Sequence, residues 1–143
     1  MKNGVFSLAG SLKRHRIVVQ EIPEPAPGLW SNCIKVGEQV FIAGLVAFDN
    51  GETVAESAGE QADYIFSAIS KYMEAAGGSL ADIATMTIFV TDLDDRPAIL
   101  ESRRRAFSGD FPCSTLIKVS GLIDPRLLVE INAVGIVGSG SAV

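Results

Sequence analysis

The stretch Leu127–Val137 reads LLVEINAVGIV and carries one formal charge, Glu130, among mostly aliphatic side chains. Successive side chains of a β-strand point to opposite faces. The face that holds Val129 and Ile131 is purely apolar, so it is predicted to meet helices. Glu130 lies on the opposite face, which is apolar apart from Asn132. The stretch is therefore predicted to be a strand that is covered on both sides.

Two helices are predicted to cover the first of these faces. Ser57–Ala76 carries apolar residues at three- and four-residue steps and begins with a Ser-x-x-Glu capping box. A second helix is predicted from near Asp95, with Pro97 in its first turn, to about Phe107. Its arginine-rich face is expected to point to water.

Six segments, the opening stretch among them, have the composition of strands bounded by turns. They are Ile17–Ile22, Ser31–Val36, Gln39–Ala43, Ala81–Val90, Cys113–Val119 and the opening stretch itself. The order β-β-β-α-β-α-β-β predicts one sheet with two helices on one face, which is a two-layer α+β domain. Since nothing else in the chain covers the second face, we expect another copy of the chain to cover it. The 48% content of hydrophobic residues agrees with such self-association.

Composition excludes several classes of function. The net charge is −5, and the one basic run, Arg103–Arg105, is interpreted as a solvated helix face, so no nucleic-acid partner is expected. No apolar run reaches the roughly 20 residues that span a bilayer. A single histidine, His15, argues against a Ser-His-Asp site. The cysteines, Cys33 and Cys113, have no metal-binding spacing, so we expect no metal and a cytoplasmic location. A disulfide between them stays open.

Three features are candidates for a site. Burial would raise the pKa of Glu130 and suit it to general acid or base chemistry, or Glu130 is a structural carboxylate capped by backbone amides or by an arginine across the subunit interface. The amides of Pro112–Thr115 could hold an anion at the start of a strand. Trp30 either lines a ligand site or anchors the core. Cys113 is expected to be a small buried residue, because no histidine is present to activate it.

Several motifs in this order resemble the RidA/YjgF family of small trimeric proteins. The motifs are the loop before Trp30-Ser31, VFIAG at Val40–Gly44, EQADYIFSAISKYMEAAGGSLADI at Glu60–Ile83, TIFVTDLDD at Thr87–Asp95, FPCST at Phe111–Thr115 and VEINA at Val129–Ala133. The resemblance covers about residues 26–137. It implies a chorismate-mutase-like fold in which three subunits surround a barrel-like centre and form three ligand clefts between neighbours.

The resemblance also implies an activity. The best-known members hydrolyse reactive enamines and imines to 2-ketoacids and ammonia without a metal or an organic cofactor. By matching motifs, Glu130 is expected to position or activate the attacking water, and Gly44 is the expected site glycine. Trp30 falls on the cleft aromatic. Apart from the resemblance, the backbone amides near Ser114 and Thr115 are expected to hold the polar end of a small ligand.

Three positions depart from the family pattern. Ser114 stands where the deaminases carry an arginine that grips the substrate carboxylate, Ala43 replaces a serine, and Leu100 replaces an asparagine. Two hypotheses follow: a hydrolase of enamines or imines, and a non-catalytic module that binds a metabolite or partner in the same cleft. RNA cleavage, an older description of the family, fits the acidic charge poorly.

The chain is predicted to hold one domain, residues 17–137. Residues 1–16 are expected to form a frayed or loosely docked N-terminal extension, and residues 138–143 a C-terminal tail.

Overall fold

A computed structural model describes residues 12–140 of the chain. In chain order the elements are β1 (Arg14–Arg16), β2 (Cys33–Val36), β3 (Gln39–Leu45), β4 (Phe48–Asp49), β5 (Glu52–Thr53), α1 (Ala58–Ala75), β6 (Ile83–Val90), α2 (Arg96–Ala106), β7 (Cys113–Lys118) and β8 (Val129–Ile136). Six strands form one sheet in the order β1-β2-β3-β8-β6-β7, and β4 and β5 form a separate hairpin. All pairs in the large sheet are antiparallel except β6 with β7.

The two helices begin as their sequences predict. The Ser57 hydroxyl accepts a hydrogen bond from the backbone N–H of Glu60 at 3.2 Å and caps α1. Gly77, with a φ of +93°, follows the end of α1, and Pro97 lies in the first turn of α2. α1 packs on β8 and β3, and α2 packs against α1. The predicted two-layer α+β domain is confirmed.

The last strand divides its side chains between two environments. Val129 and Ile131 are fully buried beneath the helices, as predicted. The other side of the sheet, here called the open face, is not covered by any residue between 12 and 140. It presents the side chains of Phe41, Thr87, Phe89, Ile117, Glu130, Asn132 and Val134. Phe41 is 42% exposed and Ile117 is 43% exposed, so the open face is apolar and wet in the single chain.

The N-terminal part of the sheet differs from the prediction. Ile17–Ile22 is not a strand, because Val19 and Ile22 turn inward to the core and the Ile22 N–H bonds to the Val19 carbonyl. Arg14–Arg16 pairs with β2 instead. Residues 1–11 of the predicted extension and 141–143 of the predicted tail lie outside the described residues. Across residues 12–140, none of the helices has the length and apolar character needed to cross a membrane.

Candidate functional site

Glu130 lies on the open face, paired across the sheet with Phe89 of β6. It is half-buried, and desolvation raises the pKa of its carboxyl. Within residues 12–140 its carboxylate has no hydrogen-bond or ion-pair partner. The structural interpretation of Glu130 expects backbone amides or an arginine across the subunit interface to cap it, and within residues 12–140 of one protomer no group contacts the carboxylate in this way. The carboxylate is therefore available to a ligand or to a neighbouring protomer.

Gly44 makes room for that carboxylate. The pairing of β3 with β8 shifts register between Ile42 and Leu45, so Gly44 lies in an irregular part of β3. A Cβ atom at Gly44 would overlap Oε1 of Glu130 and would lie 2.9 Å from its Cδ. The carboxylate thus rests directly against the backbone of β3, and any larger residue at position 44 would displace it.

Trp30 forms the wall of a pocket of about 260 Å³ that Gly44 also lines. The indole is 53% exposed, and its Nε1–H donates to Oδ1 of Asn32 at 3.0 Å. The buried Asn32 side chain donates in turn to the Pro23 carbonyl at 3.0 Å. This chain of bonds fixes the indole at the pocket, so Trp30 is not a core anchor. Tyr64 and Ile123 complete the apolar lining.

Ser114 and Thr115 lie at a different place in the sheet. Ser114 of β7 pairs with Met86, whereas Glu130 of β8 pairs with Phe89, three residues further along β6. From the usual spacing and rise of strands, Ser114 and Glu130 are about 14 Å apart. Within one protomer, Trp30 and Gly44 line the same pocket and Gly44 contacts Glu130, whereas Ser114 and Thr115 lie elsewhere in the sheet.

The Ser114 side chain points toward the helices, where a residue missed by sequence reasoning meets it. Nη1 of Arg103 donates to the Ser114 hydroxyl at 2.7 Å. Arg103 is half-buried, so the prediction that the whole arginine run is a solvated face is wrong for this residue. The sequence contains a signal for this burial, because Arg103 lies four residues after Ile99 and four before Phe107 and therefore shares their face of the helix. Both Ile99 and Phe107 are buried.

The two cysteines are free and differ in exposure. Cys33 is fully buried, and desolvation, followed by the nearby Glu24 charge, raises the pKa of its thiol to about 12. Cys113 is exposed at the edge strand, so its predicted burial is wrong. The disulfide left open by the sequence is not formed. Residues 12–140 hold no group of three or more His, Cys, Asp or Glu side chains that could bind a metal ion.

These features define a class: a two-layer α+β domain in which a half-buried carboxylate stands against a glycine, on a sheet face that no residue between 12 and 140 covers. The family model described as Endoribonuclease L-PSP matches residues 21–137. The chain belongs to this family, and the resemblance to RidA/YjgF proteins is confirmed.

Individual relatives support the same assignment. A RutC family protein from Pyrococcus abyssi is 32% identical over 121 residues, which cover 82% of this chain and 93% of the relative. The crystal structure of RidA from an Antarctic Psychrobacter is 30% identical, covers 86% of this chain and 99% of its own, and has a TM-score of 0.78. TdcF from E. coli, crystallised with bound serine, is 28% identical, covers 85% of this chain and 98% of its own, and has a TM-score of 0.77.

Proposed function

We propose that the protein hydrolyses a small enamine or imine in clefts between the protomers of a homotrimer. The observation that carries the proposal is Glu130: a half-buried carboxylate with a raised pKa, held against Gly44 and without a partner in residues 12–140. A carboxylate whose pKa rises toward neutral pH exchanges protons more effectively than an ordinary glutamate. Trp30 supplies an apolar wall for the ligand.

The reaction needs only water and a proton shuttle. Glu130 accepts a proton from water as the water oxygen bonds to the imine carbon, and the C=N electron pair moves to the nitrogen, which takes that proton from Glu130 to give a neutral carbinolamine. Glu130 then carries the hydroxyl proton of the carbinolamine to the amino nitrogen, the C–N bond breaks, ammonia leaves, and an oxygen electron pair forms the carbonyl. Imine plus water thus become ketone plus ammonia, and Glu130 ends in its starting ionisation state.

The open face supports the trimeric part of the proposal. It exposes Phe41, Ile117 and Ile136 by 39–43% each, although it belongs to the same sheet as a fully buried core. Covering it with neighbouring protomers would remove this apolar area from water. The cover would also exclude water around Glu130 and raise its pKa further in the same direction. The serine bound to the relative TdcF favours a ligand the size of a small amino acid.

The test is hydrolysis of 2-iminobutanoate, generated in situ by an amino-acid oxidase or dehydratase and followed by trapping with semicarbazide. The wild type is expected to lower the amount of trapped imine, and Glu130→Gln is expected to reduce this effect by about 100-fold, as for loss of a proton-transfer group. Glu38→Gln is the matched control, because Glu38 is an exposed glutamate in the β2–β3 turn. It is expected to behave as wild type.

Equal hydrolysis by wild type and Glu130→Gln would reject the assignment of Glu130. If wild type matches the blank over several imines, the hydrolase proposal fails as a whole. The second candidate, a non-catalytic binding module, is favoured by one observation: Ser114 stands where the deaminases carry their substrate-binding arginine. Saturable binding of 2-oxobutanoate by a protein that hydrolyses no imine would establish that alternative.

A further inference from the structure

The pocket beside Trp30 has aromatic walls. Besides the indole of Trp30, the rings of Phe48 and Tyr64 line its volume of about 260 Å³. The indole is 53% exposed, and its bond to Asn32 holds the ring in place before any ligand arrives. The face of an aromatic ring carries negative electrostatic potential and attracts an organic cation. Three rings around one cavity therefore favour a positively charged guest.

The charge that lines this pocket is a carboxylate, that of Glu24. No lysine, arginine or histidine between residues 12 and 140 lines the cavity with it. The Glu24 side chain is 20% exposed, and its two oxygens accept hydrogen bonds from the Tyr72 hydroxyl at 3.2 Å and from Nη2 of Arg16 at 2.7 Å. An ionised carboxylate has about four acceptor positions. Glu24 is thus held in place and keeps acceptor capacity for a ligand.

The surroundings of the pocket are also negative. Burial, followed by the nearby charge of Asp49, raises the pKa of the Tyr64 hydroxyl in the pocket wall. Arg126 lies over the Phe48 ring, 5.5 Å from its centroid, but its guanidinium already pairs with two carboxylates at 2.9 Å each. Carboxylates around the pocket therefore outnumber the guanidinium groups of Arg16 and Arg126.

We propose that this pocket binds the protonated amino group of a small organic ligand, with Glu24 as its counter-ion and Trp30 as its apolar wall. The proposal rests on the proposed function, whose pocket it uses, and adds the substrate class: an imine or enamine whose chain also carries a protonated amine. Gly44, which contacts the Glu130 carboxylate, lines the same pocket, so both ends of such a ligand have contacts on one continuous surface.

The first test compares three probes of similar shape and different charge: cyclohexylammonium, cyclohexanol and cyclohexanecarboxylate. Trp30 is the single tryptophan of the chain, so its fluorescence reports binding in this pocket. Cyclohexylammonium is expected to change the fluorescence saturably, cyclohexanol to bind about tenfold more weakly, and the carboxylate to bind more weakly still. A cation that gives no saturable change, or an alcohol that binds as tightly as the cation, overturns the proposal.

The second test removes the charge of Glu24. Glu24→Gln is expected to weaken binding of cyclohexylammonium about tenfold and to leave binding of cyclohexanol unchanged, because only the cation gains from the carboxylate. Glu21→Gln is the matched control, since Glu21 is exposed in the same loop and does not line the pocket. It should bind both probes as wild type does. Unchanged binding of the cation by Glu24→Gln, or equal weakening of both probes, overturns the role of Glu24.

Arg16→Gln carries the test if Glu24→Gln does not fold. This variant removes the cation that pairs with Glu24, so it is expected to strengthen binding of cyclohexylammonium about threefold. An ion pair that only holds the loop in place predicts weaker binding instead. Unchanged or weaker binding of the cation by Arg16→Gln overturns the proposal.

These titrations are independent of imine hydrolysis, because none of the three probes contains a C=N bond. Imine hydrolysis by a wild type that does not bind cyclohexylammonium would reject the cation site alone. Binding of cyclohexylammonium by a wild type that hydrolyses no imine would reject the hydrolase alone.

Discussion

The two faces of the central sheet have similar apolar side chains and very different surroundings. On the helix side, Val129 and Ile131 are fully buried, and the buried Gln61 is satisfied by the carbonyls of Ala55 and Arg126 and by the N–H of Leu128. On the open face, Phe41 is 42% exposed and Glu130 has no partner in residues 12–140. One face is complete within residues 12–140, and the other is an apolar sheet face that these residues leave exposed.

Truncating one residue on each face of the sheet tests the difference between the two faces most strongly. Ile131→Ala is expected to lower the free energy of unfolding by about 2–5 kcal/mol, since it leaves a cavity under the helices. Val134→Ala on the open face is expected to cost less than about 1.5 kcal/mol. Urea unfolding at one fixed protein concentration, low enough for the protomers to be dissociated, measures both. Equal losses in the dissociated protomer would show that the chain itself covers both faces equally.

A charge on the open face should act on assembly more than on folding. Phe41→Glu is expected to weaken association by about 2 kcal/mol per protomer, because assembly would bury an unpaired carboxylate. Sedimentation should show smaller species, while far-ultraviolet circular dichroism should stay that of the wild type. Leu12→Glu, at an exposed position before β1, is the control and should assemble normally. A Phe41→Glu protein that assembles as wild type would place the interface elsewhere.

Gly44 should matter to activity more than to stability. An added methyl group would displace the Glu130 carboxylate, a flexible side chain, so the free energy of unfolding should change by less than about 1 kcal/mol. Imine hydrolysis should fall about tenfold or more, because a misplaced base is inefficient. Gly59→Ala in α1, where a Cβ would meet Ala98 Cβ at an ordinary 3.5 Å, should retain full activity. Full activity of Gly44→Ala would exclude a close role for the Glu130–Gly44 contact.

The smallest expected effect is on the pH dependence of stability. The pKa of Glu130 is raised by burial, so its favourable contribution is present below the pKa of an unfolded glutamate, about 4.3, and is lost as pH rises through the folded value. Wild type should therefore lose stability relative to Glu130→Gln as pH increases across that window. Urea unfolding of both proteins from pH 4 to pH 8 would show it.

Asp63 is expected to give the opposite dependence of stability on pH. Burial alone would raise its pKa, but hydrogen bonds from Ser102 and Arg105 outweigh burial and lower the pKa. Wild type should therefore lose stability relative to Asp63→Asn as pH falls through the lowered value. Slopes of the same sign for the two carboxyls would contradict their assigned surroundings.

Local patterns were sufficient for most of the fold. The two-residue period of β8 identified its buried face, and the Ser57 cap with apolar four-residue steps identified α1. The first strand is predicted in the wrong place because the segment Ile17–Ile22 is apolar. In the structure Val19 and Ile22 are buried because they pack a turn against the core, and composition alone does not distinguish a buried strand from such a turn. The β4–β5 hairpin is not predicted from the sequence, since strands of two residues carry no recognisable period.

The site was predicted only in part, because long-range pairing decides which residues meet. The family resemblance supplied Glu130 and Gly44, and the register of β3 with β8 brings them into contact. Ser114 and Glu130 are separated by β6 within one protomer, so their predicted meeting in one cleft depends on how protomers pack, which local sequence patterns do not reveal. Arg103 was overlooked because a run of three arginines suggests solvent, although its four-residue spacing from Ile99 turns it inward.

The central claim is that the open face, with Glu130, becomes a working site only when protomers assemble. Measuring sedimentation and imine hydrolysis on the same dilution series tests it most directly. The rate per protomer is predicted to fall in proportion to the trimer fraction as the protein is diluted. A monomer that retains the full rate per protomer would contradict the account.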